Sequence, residues 1–172
     1  EYRHVVQLNA LNQGFTKGLS YVFGQQATGA VLGLYLPMWF MEGDAVSNET
    51  ALTKAGRGRQ PAFEKYLKTQ LLREGPFSYA KATFGSYRDF VPNRYELGYY
   101  LVARAYKDYG TDFWKHVVQN VARNPWQITP FSRGIKQQSR KNKWQWYQST
   151  MDTLKAEWQK GLIKTDSAKG HR

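Results

Sequence analysis

Apolar residues return at intervals of three or four positions along most of the chain, the spacing that places them on one face of a helix. The first such pattern covers Glu1 to Leu11, and two more run from Pro37 to about Thr53 and from Pro61 to about Arg73. No convincing alternation of apolar and polar residues, the pattern of a half-buried strand, separates them. The hydrophobic pattern therefore predicts a mainly α protein.

The second half of the chain holds four further helical patterns. The first runs from Pro92 to Tyr109, where Gly110 ends it. Its predicted apolar stripe contains Tyr95, Tyr99, Val102 and Tyr106, with Leu101 and Ala105 beside it. The others cover residues 112–123, 130–140 and 144–160, and the last has Trp144, Tyr147, Met151, Leu154 and Trp158 at helical spacing. We expect a single helical domain over residues 1–164 and a flexible tail over residues 165–172.

Residues 14–36 form a long connector between the first two helical patterns, and five glycines interrupt it. A connection of this length is uncommon in a compact domain unless it has a role of its own. We therefore expect an excursion from the domain, such as a helical hairpin or a lid over a site.

The composition narrows the possible metal chemistry and gives no sign of a membrane span. A chain of 172 residues is long enough to bury a sizeable core, and its lack of cysteine excludes disulfides and thiolate zinc sites. Any metal must therefore be held by histidine and carboxylate side chains. The longest apolar run, residues 27–41, is shorter than a membrane span and contains Pro37.

The net charge of +12 is unevenly distributed. Residues 133–172 contain ten lysines or arginines and three acidic residues, a local net charge of +7. Such a basic region is typical of binding to an anionic surface or to nucleic acid, and residues 140–147 add aromatic rings that could stack on bases. A solvated helix face has the same composition, and it is the simpler interpretation.

One carboxylate, Glu42, lies within the aromatic and apolar run of residues 36–45. Burying it is costly unless a cation pairs with it, and that cation could be an arginine, a lysine or a metal. Glu1 and His4 are three residues apart, so they share a helix face. This is the spacing of the second part of the His-Glu-x-x-His zinc motif, whose first histidine would precede Glu1.

The two motifs together resemble the gluzincin metallopeptidases, which include thermolysin and the aminopeptidase-N-like enzymes. The resemblance covers roughly residues 1–125 and rests on Glu1-x-x-His4 followed by Pro37-x-Trp39-Phe40-x-Glu42-Gly43-x-Ala45. It is nearest to bacterial envelope proteins that have a peptidase-like domain and, often, a TolB-like propeller beyond it. The resemblance implies zinc, a peptide or protein substrate, and a location in the periplasm or cell envelope. With two of its three zinc ligands, the 172-residue chain alone is expected to hold zinc weakly or not at all.

The resemblance also implies roles for single residues. Glu1 would be the general base, and His4 and Glu42 would be zinc ligands. Residues 91–98 are similar to the Tyr-x-x-Gly helix of the aminopeptidase-N-like enzymes, whose tyrosine binds the oxyanion, and Tyr95 matches that tyrosine. Three further candidates are Glu49 to orient a ligand histidine, Asp44 for a substrate amino group and Arg94 for a substrate carboxylate.

Each of these residues also has a purely structural interpretation. Glu1 could be a solvated residue at a helix N-terminus, and His4 a hydrogen-bonded core residue. Glu42 could form a buried salt bridge with an arginine, Asp44 could face solvent, and Tyr95 could be one aromatic in a buried stripe.

The sequence is therefore compatible with three functions. The first is a zinc metallopeptidase domain, and the second is a peptidase-shaped domain without turnover that serves as an interaction module. The third is a binder of anionic surfaces or nucleic acid, which is the least favoured because Trp144 and Tyr147 also fit a buried helix stripe.

Overall fold

The computed structural model describes residues 17–18, 21, 33–124 and 126–169. From residue 38 onward, the described residues form seven α-helices: α1 (Met38–Leu52), α2 (Pro61–Arg73), α3 (Tyr79–Phe84), α4 (Arg94–Tyr109), α5 (Phe113–Arg123), α6 (Pro130–Ser139) and α7 (Lys143–Lys169). A short 3-10 turn, Arg57–Arg59, connects α1 to α2. No strand occurs in this part of the chain, so the predicted mainly α class is confirmed.

Most predicted helices agree with the observed ones to within two residues at each end. The helix α4 begins two residues after the predicted Pro92, because the side chain of Asn93 caps it and accepts hydrogen bonds from the backbone N–H groups of Tyr95 (2.9 Å) and Glu96 (3.1 Å). The helix α7 continues past the predicted Lys160 to Lys169. The predicted helix over residues 1–11 and most of the connector over residues 14–36 lie outside the described residues.

The short helix α3 was not predicted. Its sequence signal is Ser78, whose hydroxyl caps the helix by accepting a hydrogen bond from the N–H of Lys81. The helix has a single buried residue, Tyr79, whose hydroxyl accepts a 3.0 Å hydrogen bond from the indole N–H of Trp39. This buried contact attaches α3 to the start of α1.

The predicted apolar stripes of α4 and α7 are partly wrong. In α4, the predicted Tyr95, Tyr99 and Tyr106 are only half-buried. Val102 is fully buried, as are Leu101 and Ala105, which were predicted beside the stripe. The buried face is completed by Glu96, Leu97 and Gly98. Small and aliphatic residues occupy this face because it lies against another helix at short range. In α7, Trp146 is buried, whereas Trp144 is 59% exposed.

The helices α1 and α4 approach each other most closely at two glycines, Gly43 and Gly98. A Cβ atom on Gly98 would collide with the carbonyl oxygen of Trp39, and one on Gly43 would collide with the backbone of Gly98. Backbone therefore meets backbone at this crossing, which is possible only because neither residue has a side chain. This contact fixes the separation of the two helices.

Aromatic side chains fill the core beside the first turn of α1. Trp39 and Phe40 point into it and meet rings from α5, α6 and α7. Their ring centroids lie 4.8 Å apart for Phe40 and Trp114, 5.9 Å for Trp39 and Phe131, and 6.0 Å for Trp39 and Trp146. These are ordinary separations for attractive ring pairs, so the aromatic cluster holds the first half of α1 against the C-terminal helices.

The glycine contact gives a stability prediction. Gly98→Ala is expected to lower the free energy of unfolding by about 3 kcal/mol, because the added methyl group forces the two backbones apart. The matched control is Gly161→Ala on α7, where a Cβ atom would have no neighbour within 4 Å. That change should raise the free energy of unfolding by up to about 1 kcal/mol through helix propensity. Urea denaturation followed by circular dichroism measures both, and equal stability of the two variants would contradict the close contact.

Candidate functional site

Glu42 lies on α1 directly before the glycine that contacts α4, and its side chain is half-buried. Trp39 and Phe40 point into the core, so the aromatic run around Glu42 in sequence does not enclose the carboxylate. Among the described residues, Glu42 accepts no hydrogen bond and forms no ion pair. The alternative of a buried salt bridge to an arginine is therefore not found in this part of the chain.

Tyr95 lies on the first turn of α4, one turn before Gly98. Its side chain is half-buried, and within the described ranges its hydroxyl has no hydrogen-bond partner. Two guanidinium groups contact its ring, since the Cζ atoms of Arg57 and Arg94 each lie 5.6 Å from the ring centroid. Tyr95 therefore has an oriented ring and an uncommitted hydroxyl, which is unlike a tyrosine whose hydroxyl is hydrogen-bonded within the core.

Glu49 connects the end of α1 to the turn that carries Arg57. Its carboxylate forms an ion pair with Arg57, with Nη2 and Oε2 2.9 Å apart, and also accepts a hydrogen bond from the backbone N–H of Arg57 at 3.3 Å. The hydrogen bond from Arg57 holds the pKa of Glu49 below its usual value. Glu49 thus positions the cation that contacts Tyr95. The histidine that it was predicted to orient lies outside the described residues.

The turn after α1 is built by its glycines and arginines. Arg59 donates a 2.7 Å hydrogen bond to the carbonyl oxygen of Thr50, and the N–H of Gly58 donates to the Thr50 hydroxyl at 3.1 Å. A Cβ atom on Gly58 would collide with the ring of Tyr99 on α4. The Gly-x-Gly pattern therefore lets the turn pack against α4. Its contact with Tyr95 was not predicted from the sequence.

Asp44 is a buried structural residue. It is 1% exposed, and its Oδ1 atom accepts hydrogen bonds of 3.1 Å from the Tyr106 hydroxyl and from the side-chain amide of Asn48. Burial excludes the solvent-facing alternative. The bond to Tyr106 joins α1 to α4, so Asp44 contributes to the same helix pair as Gly43.

Arg94 is the last of the predicted site residues that lie within the described ranges, and its side chain is exposed. Beside its contact with Tyr95, it lines a cavity of about 580 Å³ between the starts of α1, α6 and α7. Arg94 forms no ion pair within the described part of the chain. Its guanidinium is thus available to a ligand in that cavity.

Glu96 is a buried acid that sequence reasoning missed. It is 3% exposed, and its carboxylate accepts hydrogen bonds from the N–H of Leu67 (3.3 Å) and the amide of Asn93 (3.0 Å). Burial raises the pKa of Glu96. The signal was present as Asn93-x-x-Glu96, the spacing of a helix capping box. Its bonds join α2 to the start of α4, which makes its role structural.

The predicted base Glu1 and ligand His4 lie outside the described residues. Within the described ranges, no three histidine or acidic side chains are grouped closely enough to hold a metal ion, and no helix has the length and apolarity of a membrane span. Comparisons of the chain with protein-family models, with curated proteins and with solved structures found no match. The family resemblance therefore rests on the sequence motifs alone.

The Glu49–Arg57 pair gives a pH prediction. Because the folded-state pKa of Glu49 is lowered, the pair stabilises the fold above the unfolded-state pKa, about 4.3, and this contribution is lost as the pH falls through the folded-state pKa. The pair is partly exposed, so its contribution is expected to be below about 1 kcal/mol. Arg57→Gln should raise the midpoint of the Glu49 carboxyl titration, measured by carbon-detected NMR.

The control for this titration is Lys68→Gln, which removes a similar partly exposed pair with Glu64. It should leave the Glu49 midpoint unchanged. If Arg57→Gln also leaves that midpoint unchanged, Arg57 is not the group that holds Glu49 at the turn.

Proposed function

We propose that this chain contributes the glutamate ligand and the oxyanion-binding tyrosine to a zinc-dependent metallopeptidase domain. One observation carries the proposal. The two motifs of the family resemblance, Glu42-Gly43 and Tyr95-x-x-Gly98, are far apart in sequence, and their glycines form the closest contact between α1 and α4. Glu42 and Tyr95 therefore flank the same crossing, each within one helical turn of it.

The properties of Glu42 fit a metal ligand. It is a half-buried carboxylate, and the described residues offer it no cation and no hydrogen-bond donor. Zinc sites of catalytic type commonly combine two histidines with one such carboxylate. His4 and a histidine preceding Glu1 would complete the set. Zinc, when bound there, acts as a Lewis acid that polarises the substrate carbonyl and makes water a better nucleophile at neutral pH.

The other steps of the proposed reaction are carried out by protein side chains, namely those of Glu1 and Tyr95. Glu1 takes a proton from the attacking water and passes it to the leaving amine. The Tyr95 hydroxyl donates a hydrogen bond to the oxygen of the scissile carbonyl as negative charge develops on it. Arg57 and Arg94 place two positive charges beside the Tyr95 ring, and these charges favour negative charge nearby.

The two alternative functions differ in what they require. An interaction module without turnover would keep the same helix pair, so only activity separates it from the peptidase. A nucleic-acid binder would need exposed rings for stacking, but Trp146 and Tyr147 are 1% and 3% exposed, which leaves Trp144 from the basic segment. This burial argues against the nucleic-acid alternative.

Zinc affinity tests the assignment of Glu42 as a zinc ligand. In the full-length protein, Glu42→Gln should weaken zinc affinity more than about 100-fold, because it removes a ligand and not only an outer-shell partner. Glu49→Gln is the matched control, since Glu49 lies two turns further along α1 and its carboxylate is already bound to Arg57. Zinc competition with a chromophoric chelator measures both affinities. Equal affinities for the two variants would remove Glu42 from the ligand set.

Turnover tests the oxyanion assignment. In the full-length protein, Tyr95→Phe should lower turnover of a broad peptide library by about 100- to 1000-fold, the usual cost of losing one oxyanion donor. Folding should be unaffected because the Tyr95 hydroxyl bonds to nothing among the described residues. The control is Tyr99→Phe, one turn along α4 and similarly half-buried. Glu1→Gln should abolish turnover, since no base is left to activate water.

Two results would contradict this proposal in different ways. Equal turnover by Tyr95→Phe and the unmodified protein would make Tyr95 a packing residue. Absence of turnover in the unmodified protein with zinc bound would identify the domain as an interaction module.

A further inference from the structure

The cavity beside Arg94 has the size and wall chemistry of a ligand site. Its volume of about 580 Å³ lies within the range of roughly 300–1,000 Å³ that is usual for small-ligand pockets. It opens between the start of α1, the helix α3 and the starts of α6 and α7. Large apolar groups surround it, and three of them are well exposed, namely Phe84 (85%), Ile128 (95%) and Trp144 (59%).

The charge in this cavity is of one sign. Among the described residues that line it, the charged side chains are Arg94 and Lys143, and none is an aspartate or glutamate. The hydroxyl groups of Thr83 and Ser132 add hydrogen-bonding capacity. A cavity with two cations, hydroxyl groups and aromatic walls attracts an anion that also has an apolar part.

Lys143 is the more constrained of the two cations. Its Nζ atom lies 4.6 Å from the ring centroid of Tyr79 and 5.2 Å from that of Trp144. In the described part of the chain it has no carboxylate partner. Burial lowers the pKa of Lys143, as expected for an ammonium group removed from water without a counter-ion. The rings hold it in place, and an anion entering the cavity would supply the missing charge.

We propose that this cavity binds a free carboxylate next to an aromatic or large aliphatic side chain, as at the carboxyl end of a peptide. The planar guanidinium of Arg94 matches a carboxylate in bidentate geometry. Lys143 provides the second positive charge, and the walls formed by Phe84, Ile128 and Trp144 cover the side chain. A peptide end uses both features together, whereas a free inorganic anion would leave the apolar walls in water.

The binding site does not require zinc or the proposed reaction. Arg94 connects this cavity to the proposed function, because it lines the cavity and also contacts the Tyr95 ring. If the domain is a peptidase, the cavity lies beside its oxyanion residue and selects substrates by their carboxyl end. That selection, unlike the binding itself, rests on the proposed function.

Isothermal titration of the full chain with N-acetyl-L-phenylalanine tests the site, with and without EDTA. The corresponding amide should bind about 10- to 100-fold more weakly, because a charge-assisted hydrogen bond is lost. N-acetylglycine should bind about 10-fold more weakly, since it lacks the apolar side chain. EDTA should change none of these affinities, which separates this site from carboxylate binding to zinc.

Variants then locate the binding. Lys143→Gln and Arg94→Gln should each weaken binding of N-acetyl-L-phenylalanine about 10- to 100-fold. The control Lys160→Gln removes an exposed cation of the same helix as Lys143 outside the cavity, and it should leave the affinity unchanged. Circular dichroism establishes that all three variants fold.

Three results would overturn the proposal. The first is equal affinity for N-acetyl-L-phenylalanine and its amide. The second is an affinity for N-acetyl-L-phenylalanine that neither Lys143→Gln nor Arg94→Gln changes. The third is Lys143-dependent binding of phosphatidylglycerol vesicles by a protein that does not bind N-acetyl-L-phenylalanine. The last result would assign the cavity to a membrane surface and not to a peptide end.

Discussion

The contact between Gly43 and Gly98 is the constraint on which the rest of the helix arrangement depends. It brings the backbones of α1 and α4 together at a distance that no side chain permits. With this crossing fixed, Asp44 reaches the Tyr106 hydroxyl, and the turn after α1 brings Arg57 against Tyr95. Trp39, one turn before Gly43 on α1, then points its ring into the aromatic core. One close contact thus sets the positions of both the core and the candidate site.

Three acids on the helix pair α1 and α4 differ in their hydrogen bonding, namely Asp44, Glu96 and Glu42. Asp44 and Glu96 are almost fully buried, and each accepts one hydrogen bond that joins two helices and another from a nearby residue of its own helix or helix cap. Such groups are tolerated because they are satisfied, and they fix which residues face one another. Glu42 is half-buried and has no partner among the described residues. Packing and hydrogen bonding therefore explain why Asp44 and Glu96 are present, but they do not explain Glu42.

The sequence predicted the helical class and most helix ends because periodicity and end signals are local properties. It predicted the buried face of α4 only in part, because close packing against α1 favours Gly98 over the larger tyrosines beside it. It placed Glu42 in an aromatic setting because Trp39 and Phe40 are its neighbours, although successive helix positions point in different directions. The approach of Arg57 to Tyr95 depends on a tertiary contact, which spacing alone does not reveal.

The glycine crossing also restricts how this sequence can diverge. Elsewhere in the core, a larger side chain can be accommodated when a neighbour becomes smaller. At position 98 the obstacle is the carbonyl oxygen of Trp39, a backbone atom that every substitution at residue 39 would retain. No mutation of Trp39 can therefore compensate for a larger residue at position 98. Descendants of this sequence should therefore keep both glycines even where the exposed faces of α1 and α4 change freely.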